Sequence, residues 1–518
     1  GYNKMPHHPL LLEMKLNFFH INTLLSLLFA LVLTISSCDD NDSFSTSPNN
    51  ILTISNEALS LDTVFSKVPS ASKKVMVYNR SGDGIRIQSI QQLKGADKTG
   101  FRVNVNGVNI TPEENNTISM PMELRNGDSL RVWVELTSLK ENGTVKPQPL
   151  TDDICFNLES GRQQKINLKA WTWDADTLNN HVLTKDSVID NKGERPLVIH
   201  GCLIVNPDVT LTVNAGSIIY FHQDGGMNVK GRLVVNGNSG KDEKVIFRCD
   251  RLDSLLQLSY DEIPGKWQGI TLEKSSENNE INYLDLHGSG YGIYCDSSDY
   301  KTIDDMPQKL TMKHSTIMNV LGDALSCFES KVNIENCLLA NASGHCLSVT
   351  GGNVDVKSTT LASFYGYTAS RKYALRMSDY LDTDKPLPFR MRVDNSIITG
   401  YAEDQVYWFP LKKENDPDIL LQHSYLRTPE PKDEYSKKML QNDIYDANVT
   451  EEYRGKGLFV AVNEDGTSFY YDFTPRVDAP VIGVADATTS CKDDILGKPR
   501  KETPDMGCYE TFYEEKKE

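Results

Sequence analysis

The chain has 518 residues, and its 71 Asp and Glu outnumber 54 Lys and Arg, for a net charge of −17. An apolar fraction of 39% and a charged fraction of 24% are those of a soluble globular protein rather than a disordered chain. No basic stripe interrupts the acidic balance, which argues against nucleic acid as a partner.

The first 37 residues read as a signal peptide preceded by an extension. Met14-Lys15 opens a stretch that is apolar from Ile21 to Ile35 and ends in Ser36-Ser37, the charged start, short apolar core and small-residue break of a secretory signal. The apolar core is shorter than the roughly 20 residues that span a bilayer, so Met14 is the expected start and 1–13 the extension. Ile35-Ser36-Ser37-Cys38 resembles the bacterial lipobox, which implies that Cys38 is lipid-modified and anchors the protein to a membrane. Residues 38–50 are acidic at Asp39, Asp40 and Asp42 and then rich in Ser, Asn and Pro, the composition of a solvated tether. Acidic residues behind a lipidated cysteine resemble the export signal of Bacteroidetes-type surface lipoproteins. That resemblance implies an outer-membrane protein exposed at the cell surface.

Residues 51–172 carry short alternating segments, among them Lys74-Val-Met-Val-Tyr78, Phe101-Arg-Val-Asn-Val105 and Ser129-Leu-Arg-Val-Trp-Val134. Turn signals such as Asn106-Gly107 and Asn126-Gly127 separate them. Many short strands with regular turns predict a β-sandwich. Their order resembles the immunoglobulin-like modules of bacterial surface proteins, without the Cys…Trp…Cys pattern of a true immunoglobulin domain.

Residues 173–400 are organised by a repeat of 22 residues. Leu310-Thr-Met312 returns as Val332-Asn-Ile334, Val354-Asp-Val356 and, after an insertion, Met391-Arg-Val393. Ile317 returns as Leu339, Leu361 and Ile398. A fixed period marks a solenoid, and coils this short, with apolar residues alternating, are made of strands. The expected architecture is a parallel β-helix, in which stacking closes a core that one coil cannot bury alone. Lys313, Glu335, Lys357 and Asp394 should then form an outward ladder of neighbouring opposite charges, and Asp355 should lie beside Arg392. Earlier segments, including Val209-Thr-Leu-Thr-Val213, Arg232-Leu-Val-Val-Asn236 and Trp267-Gln-Gly269-Ile270, resemble the opening coils of right-handed parallel β-helix proteins of the pectate-lyase-like superfamily. The expected fold class is therefore all-β, an immunoglobulin-like sandwich followed by a right-handed parallel β-helix.

Cys295 and Cys327 share a column with Val349 and read as small buried hydrophobes, although an oxidising compartment would permit a bridge. No Cys-x-x-Cys or Cys/His ligand spacing is present and the ten histidines look scattered, so neither a metal nor a cofactor is expected.

Phe364–Phe389 interrupts the repeat. Its aromatic and polar residues make it the candidate ligand-binding loop: Tyr365, Tyr367, Arg371, Lys372, Tyr373 and Tyr380, with Tyr407 and Trp408 beyond the last coil. Long loops on rigid scaffolds commonly carry function. The alternative is that these rings pack against the solenoid wall. Two further interruptions, Asp250–Gly265 and Asp296–Gln308, could flank the same face.

Residues 401–518 hold C-terminal coils and a cap. Asp494-Ile-Leu-Gly497-Lys-Pro-Arg500 followed by Pro504-Asp505-Met-Gly507-Cys-Tyr509-Glu510 resembles the terminal signature of bacterial β-helix proteins, including those called choice-of-anchor Q. Asp494, Arg500, Asp505 and Glu510 are expected to pair with one another and cover the last coil, rather than to form an active site.

No acid/base pair converges in the sequence. The expected function is a surface-anchored lipoprotein whose β-helix binds a glycan or an outer-membrane protein without catalysis. Two alternatives remain: a polysaccharide lyase or glycoside hydrolase, which the β-helix resemblance implies, and an accessory subunit of an outer-membrane assembly.

Overall fold

The structure is a computed structural model that describes residues 43–139, 141–255, 258–369, 372–381, 385–410, 418–464 and 469–512. The signal peptide, Cys38 and Arg371 lie outside the described residues.

Alternation builds the N-terminal module. In Lys73–Asn79, Phe101–Val105 and Ser129–Leu136 alternate side chains are buried, as the two-residue period of a strand requires. These strands belong to a sheet of five, and a six-stranded sheet contains the long hairpin Gln148–Leu158 and Gln163–Trp173. Both sheets feed one core, in which Val77, Phe101 and Val134 of the first meet Ile87, Phe156 and Ile166 of the second. Asn106 and Gly107, with φ of 48° and 92°, form the left-handed pair that closes a two-residue hairpin. The end of the expected tether is fastened to this module: Ser43 Oγ donates to Asp83 at 2.9 Å and Phe44 bridges to Gly84.

From Asp176 the chain winds through three parallel sheets of 11, 9 and 10 strands, the first, second and third faces of a β-helix-like solenoid. A coil adds one strand to each in turn, as Thr316–Val320, Leu325–Phe328 and Lys331–Glu335 do. Leu310, Val332, Val354 and Met391 are register neighbours on the third face, as are Ile317, Leu339, Leu361 and Ile398 on the first. All eight are buried in the common core. Lys313, Glu335, Lys357 and Asp394 are likewise neighbours, with Lys313 Nζ 2.9 Å from Glu335, but Asp394 is buried and accepts from Gln422 at 2.6 Å instead of completing the outward ladder. Arg392 stands beside Asp355, but its guanidinium pairs with Asp418 on the following strand. The coils continue past residue 400, through Val406–Phe409 and Asp418–Gln422, to Ile444–Tyr445. The helix Glu434–Met439 packs at that end, where Trp408 Nε1 donates to Tyr435 Oη at 2.9 Å.

One corner is made the same way in coil after coil. Between third and first faces, Tyr283, His314, Asn336, Ser358, Asn395, His423 and Asn442 have φ from 45° to 56°, the left-handed conformation that reverses the chain quickly but is costly for residues with a Cβ. The next residue is Ser315, Cys337, Thr359, Ser396 or Ser424 in five of these coils. Ser396 Oγ donates to the Asp394 carbonyl at 2.9 Å and accepts the Thr359 N–H at 3.1 Å. Ser424 Oγ donates to the Gln422 carbonyl at 2.9 Å and accepts the Ser396 N–H at 3.0 Å. In the last of these turns Asp443 takes the hydroxyl's place and accepts the Ser424 N–H at 2.9 Å. Burial pushes its carboxyl up to about 8.

The first face is covered on its outside as well. Leu338–Ala342 and Ile397–Gly400 are buried at every position, the pattern of a parallel sheet packed on both sides. Ala340, Ala362 and Ile397 meet a second apolar cluster built from Leu458, Phe473, Val481 and Met506 of the C-terminal part. In the opening coils the N-terminal module covers the same face, with Phe65 and Trp173 edge-on to Tyr220 at 4.9 and 6.5 Å. On a coil between these covers, His287 lies 2.8 Å from both Asp285 and Asp261. Burial opposes its charge, but the two carboxylates outweigh it and raise the imidazole to about 10.

The Asp443 geometry sets a pH dependence. Its folded value is above the ordinary 3.8, so the native state binds the extra proton and stability falls as pH rises from about 4 to about 8. Asp443→Asn keeps the acceptor without the charge. Thermal unfolding followed against pH should show the variant near wild type at or below about pH 4 and more stable than wild type above about pH 8.

Candidate functional site

The first face is buried on both sides and the third presents charged side chains, so the second face carries the surface of interest. Its strands Ile293–Cys295, Leu325–Phe328, Leu347–Thr350, Leu375–Ser378 and Val406–Phe409 stack in that order. Ile293, Leu325, Leu347 and Leu375 point into the core, so the residues after them point outward. This places Tyr294, Ser326, Ser348, Arg376 and Tyr407 in one column. Two positions before the inward residues, Tyr291, Asp323, His345, Tyr373 and Asp404 form a second column along the adjoining corner. Rungs are about 4.8 Å apart, so Tyr294 and Tyr407 are separated by about 19 Å along the axis.

The middle of this surface is polar and pre-arranged. His345 Nδ1 lies 3.0 Å from Asp323 Oδ1, the same oxygen accepts the His345 backbone N–H at 2.7 Å, and Ser326 donates to Oδ2 at 3.0 Å. Burial works against the Asp323 charge, but His345 and these hydrogen bonds outweigh it and hold the carboxyl below its ordinary value. One coil further on, Arg376 Nη1 donates to Thr350 at 3.0 Å and to Ser348 at 3.4 Å. Aromatic rings bracket this centre. Tyr291 shares a 2.8 Å hydrogen bond with Thr271 on one side. On the other, Tyr373 stacks on Tyr407 at 4.4 Å and parallel to His345 at 6.4 Å, while Tyr407 meets Phe409 at 3.8 Å.

The interruption Phe364–Phe389 is not one loop. Strand Leu375–Ser378 passes through it on the second face and divides it between two corners. Tyr365 is buried at 1% exposure, and its ring lies 5.5 Å from that of Tyr367. Tyr367 stacks on Phe469 at 4.5 Å and donates to the Glu262 carbonyl. These two rings fasten the Asp250–Gly265 interruption and the C-terminal hairpin to the wall, so Tyr365 in particular is no surface ligand group. Lys372 is exposed beside Tyr373, and half-buried Tyr380 follows the strand at the opposite corner. Trp408 is register neighbour to inward-facing Met377, packs against the core and stacks on Phe389 at 5.6 Å. It helps close the end of the solenoid, where it lines a cavity with Met377, Val406 and Met439. Asp296–Gln308 lies at the second-to-third corner, where Asp304 accepts from Arg390 at 2.8 Å. The two interruptions therefore border the second face from its two opposite corners.

Tyr291, Tyr294, Asp323, His345 and Arg376 were missed as a group. The signal was available: extending the column of Ile293, Leu325 and Leu347 would have named the outward residue in every coil. The histidines are not all scattered. His200 and His222 are separated by 22 residues, one solenoid period, and their rings meet at 4.5 Å with a tilt of 31°. Among the described residues they and Asp224 form a group able to hold a metal ion. The nine described cysteines are thiols, and Cys295 and Cys327 are stacked neighbours buried in the core.

The C-terminal signature does not cover the last coil. It runs back along the third-to-first corner, where Gly507 N–H donates to Asn395 at 2.8 Å, Cys508 N–H to Thr360 at 3.1 Å and Arg500 Nη2 to Asn336 at 2.9 Å. Gly507 has φ of 88°, and a Cβ there would stand 2.6 Å from Ile397. The carboxylates are consumed by the chain's own donors. Asp494 accepts the N–H groups of Leu496 and Lys498 at 2.9 Å each, and Asp505 those of Gly483 and Thr511 at 2.7 Å each. Glu510 pairs with Arg500 at 3.1 Å, with side chains 0% and 2% exposed. This is a lateral clasp across several coils.

The fold is thus all-β, a two-sheet module followed by a β-helix-like solenoid with an aromatic and polar second face. No protein-family profile and no curated protein matches the chain. Among solved structures, 25% of the chain is similar to 30% of a family 123 glycoside hydrolase from Clostridium perfringens, at 5% identity and a TM-score of 0.17. A 26% share is similar to 92% of a PapD-like domain of human CEP192, at 11% identity and a TM-score of 0.17. The chain spans less than a third of that hydrolase, and likenesses this weak carry no argument.

The clasp predicts a stability cost. Arg500→Met removes the guanidinium from Glu510 but leaves Lys501 Nζ at 3.5 Å and the Lys501 and Asp505 N–H groups on that carboxylate, so the lost pairing costs up to about 3–5 kcal/mol. Denaturant unfolding should show this loss, with part of it recovered in the double variant Arg500→Met, Glu510→Met.

Proposed function

We propose that this protein is a surface-anchored bacterial lipoprotein that binds a glycan along the outer second face of its solenoid, without cleaving it. The carrying observation is the rung pattern itself: tyrosines at both ends of the surface, with Asp323, His345, Ser326 and Arg376 fixed between them. Aromatic faces offer apolar contact to sugar rings, while neighbouring polar groups exchange hydrogen bonds with hydroxyls. Because rungs repeat at a constant rise, the surface suits a polymer lying along the axis better than a single small molecule.

Binding rather than cleavage is supported by the state of the carboxylates. Asp323 is held below its ordinary value by His345 and its hydrogen bonds, the opposite of what a general acid near neutral pH needs. Asp494, Asp505 and Glu510 are occupied in the clasp.

The anchoring half of the proposal rests on the lipobox-like Cys38 and the acidic residues after it. Ser43, the first fastened residue, lies five positions after Cys38, at most about 18 Å of chain, so a lipid on Cys38 would keep the two-sheet module near the membrane. We read that module as immunoglobulin-like and the solenoid as a right-handed β-helix of the pectate-lyase-like kind, the hand that parallel crossovers adopt almost without exception.

A glycan array followed by calorimetry on the best oligosaccharide tests the binding surface. Tyr373→Ala and Tyr407→Ala should each weaken binding by about tenfold, or 1.4 kcal/mol. Tyr470→Ala, a 59% exposed ring on the C-terminal hairpin, should leave binding unchanged. Equal affinity in all three variants would overturn the site. Release of reducing ends or unsaturated products from a polysaccharide panel would overturn the absence of catalysis.

A further inference from the structure

The opening coils hold a group of side chains that neither the glycan surface nor the clasp uses. His200 ends the first-face strand Leu197–His200, and His222 follows the next one, its N–H donating to the Ile199 carbonyl at 2.8 Å. The solenoid period therefore places one imidazole directly over the other, with centroids 4.5 Å apart. Asp224, two residues on, is anchored at the same corner by the Gly201 N–H, 3.1 Å from its Oδ1. One ligand atom from each of the three residues lies within 4.8 Å of those of the other two.

A fourth residue orients the set. The Asp250 N–H donates to the Phe221 carbonyl at 2.9 Å, which puts Asp250 on the rung beside His222. Its carboxylate, on a residue only 3% exposed, lies 2.7 Å from His222 Nδ1. A carboxylate only accepts, so this contact places the His222 proton on Nδ1 and leaves the Nε2 lone pair for a ligand. A buried carboxylate behind an imidazole is the outer-shell arrangement that supports metal-bound histidines.

We propose that His200, His222 and Asp224 bind a divalent transition-metal ion of the zinc type, with Asp250 as the positioning residue for His222. Two imidazoles and one carboxylate suit zinc, whereas magnesium and calcium favour oxygen ligands. Zinc with bonds of 2.0–2.1 Å brings tetrahedral ligand atoms to about 3.3 Å from one another. Rotation of the exposed Asp224 side chain can narrow the present spacing while Asp250 holds His222 in place. Three protein ligands leave one position for water, the composition of an open rather than a closed site. The ion would join two consecutive coils next to Val198 and Tyr220, where the N-terminal module packs.

The test is calorimetric titration of the full chain, without a histidine tag and stripped with a chelator, using Zn²⁺ alone, then Ca²⁺ and Mg²⁺ alone. One Zn²⁺ per chain with micromolar or tighter affinity is expected, with neither Ca²⁺ nor Mg²⁺ competing. Asp224→Asn, at an exposed position, and His222→Ala should each weaken Zn²⁺ binding by roughly a hundredfold. Asp250→Asn should weaken it by roughly 10–100-fold and change the visible absorption of the Co²⁺-substituted protein, a readout that a purely structural role would not move. His181→Ala, an exposed histidine of the preceding coil, should bind like wild type. Absence of stoichiometric Zn²⁺ binding by wild type, or retention of it in both His222→Ala and Asp224→Asn, would overturn the proposal.

Discussion

The solenoid depends on a corner that must be turned within one or two residues. From Tyr283 onward the chain passes from third to first face through a left-handed residue, and from His314 to His423 that residue is followed by a small hydroxyl or thiol. The left-handed backbone gives the sharp change of direction. The hydroxyl then links its own coil to the one before it, so register at the corner does not rest on strand pairing alone. Interruptions in these later coils occur at the other two corners, where no such ladder has to be maintained. Asn holds the left-handed position in three of these coils, because a short polar side chain tolerates positive φ better than a branched one.

That corner also decides which surfaces remain for function. The clasp lies along it, using Arg500, Gly507 and Cys508 to reach coils whose corner residues are Asn336, Ser358 and Asn395. Its apolar residues, together with the hairpin around Phe459 and Phe473, close over the outside of the first face. The N-terminal module closes over the same face lower down. Burial on both sides makes the first face a structural wall, and the third presents charged side chains such as the Lys313–Glu335 and Arg392–Asp418 pairs. The second face carries an ordered set of rings and hydrogen-bonding groups at rung spacing. In the proposed reading, function follows from what the rest of the chain leaves uncovered.

Much of this arrangement was legible in the sequence wherever the period held. Columns separated by 22 residues named the inward side chains, because stacking forces equivalent positions into neighbouring rungs. The same arithmetic would have shown His222 above His200 and Tyr407 one position from an inward Trp408. It was hidden by insertions that break the count between 364 and 389. There the aromatic composition suggested a single binding loop, yet a strand passes through it and sends Tyr365 and Tyr367 to one corner and Tyr380 to the other. Composition names the residue types in a segment, while the direction of each side chain depends on where the strand resumes.

The sequence by itself determined the all-β class, the coil repeat, its core columns and the register of the charged column beside them, since each follows from local periodicity and from the requirement that identical coils stack. Only the tertiary structure decided that the terminal signature is a lateral clasp, that Trp408 closes the core, and that Asp323, His345 and Arg376 share a surface with tyrosines from other coils. The physical reason is that these relations join residues across insertions and over long stretches of chain. A one-dimensional period says which residues are equivalent, but not which surface a distant segment will return to cover.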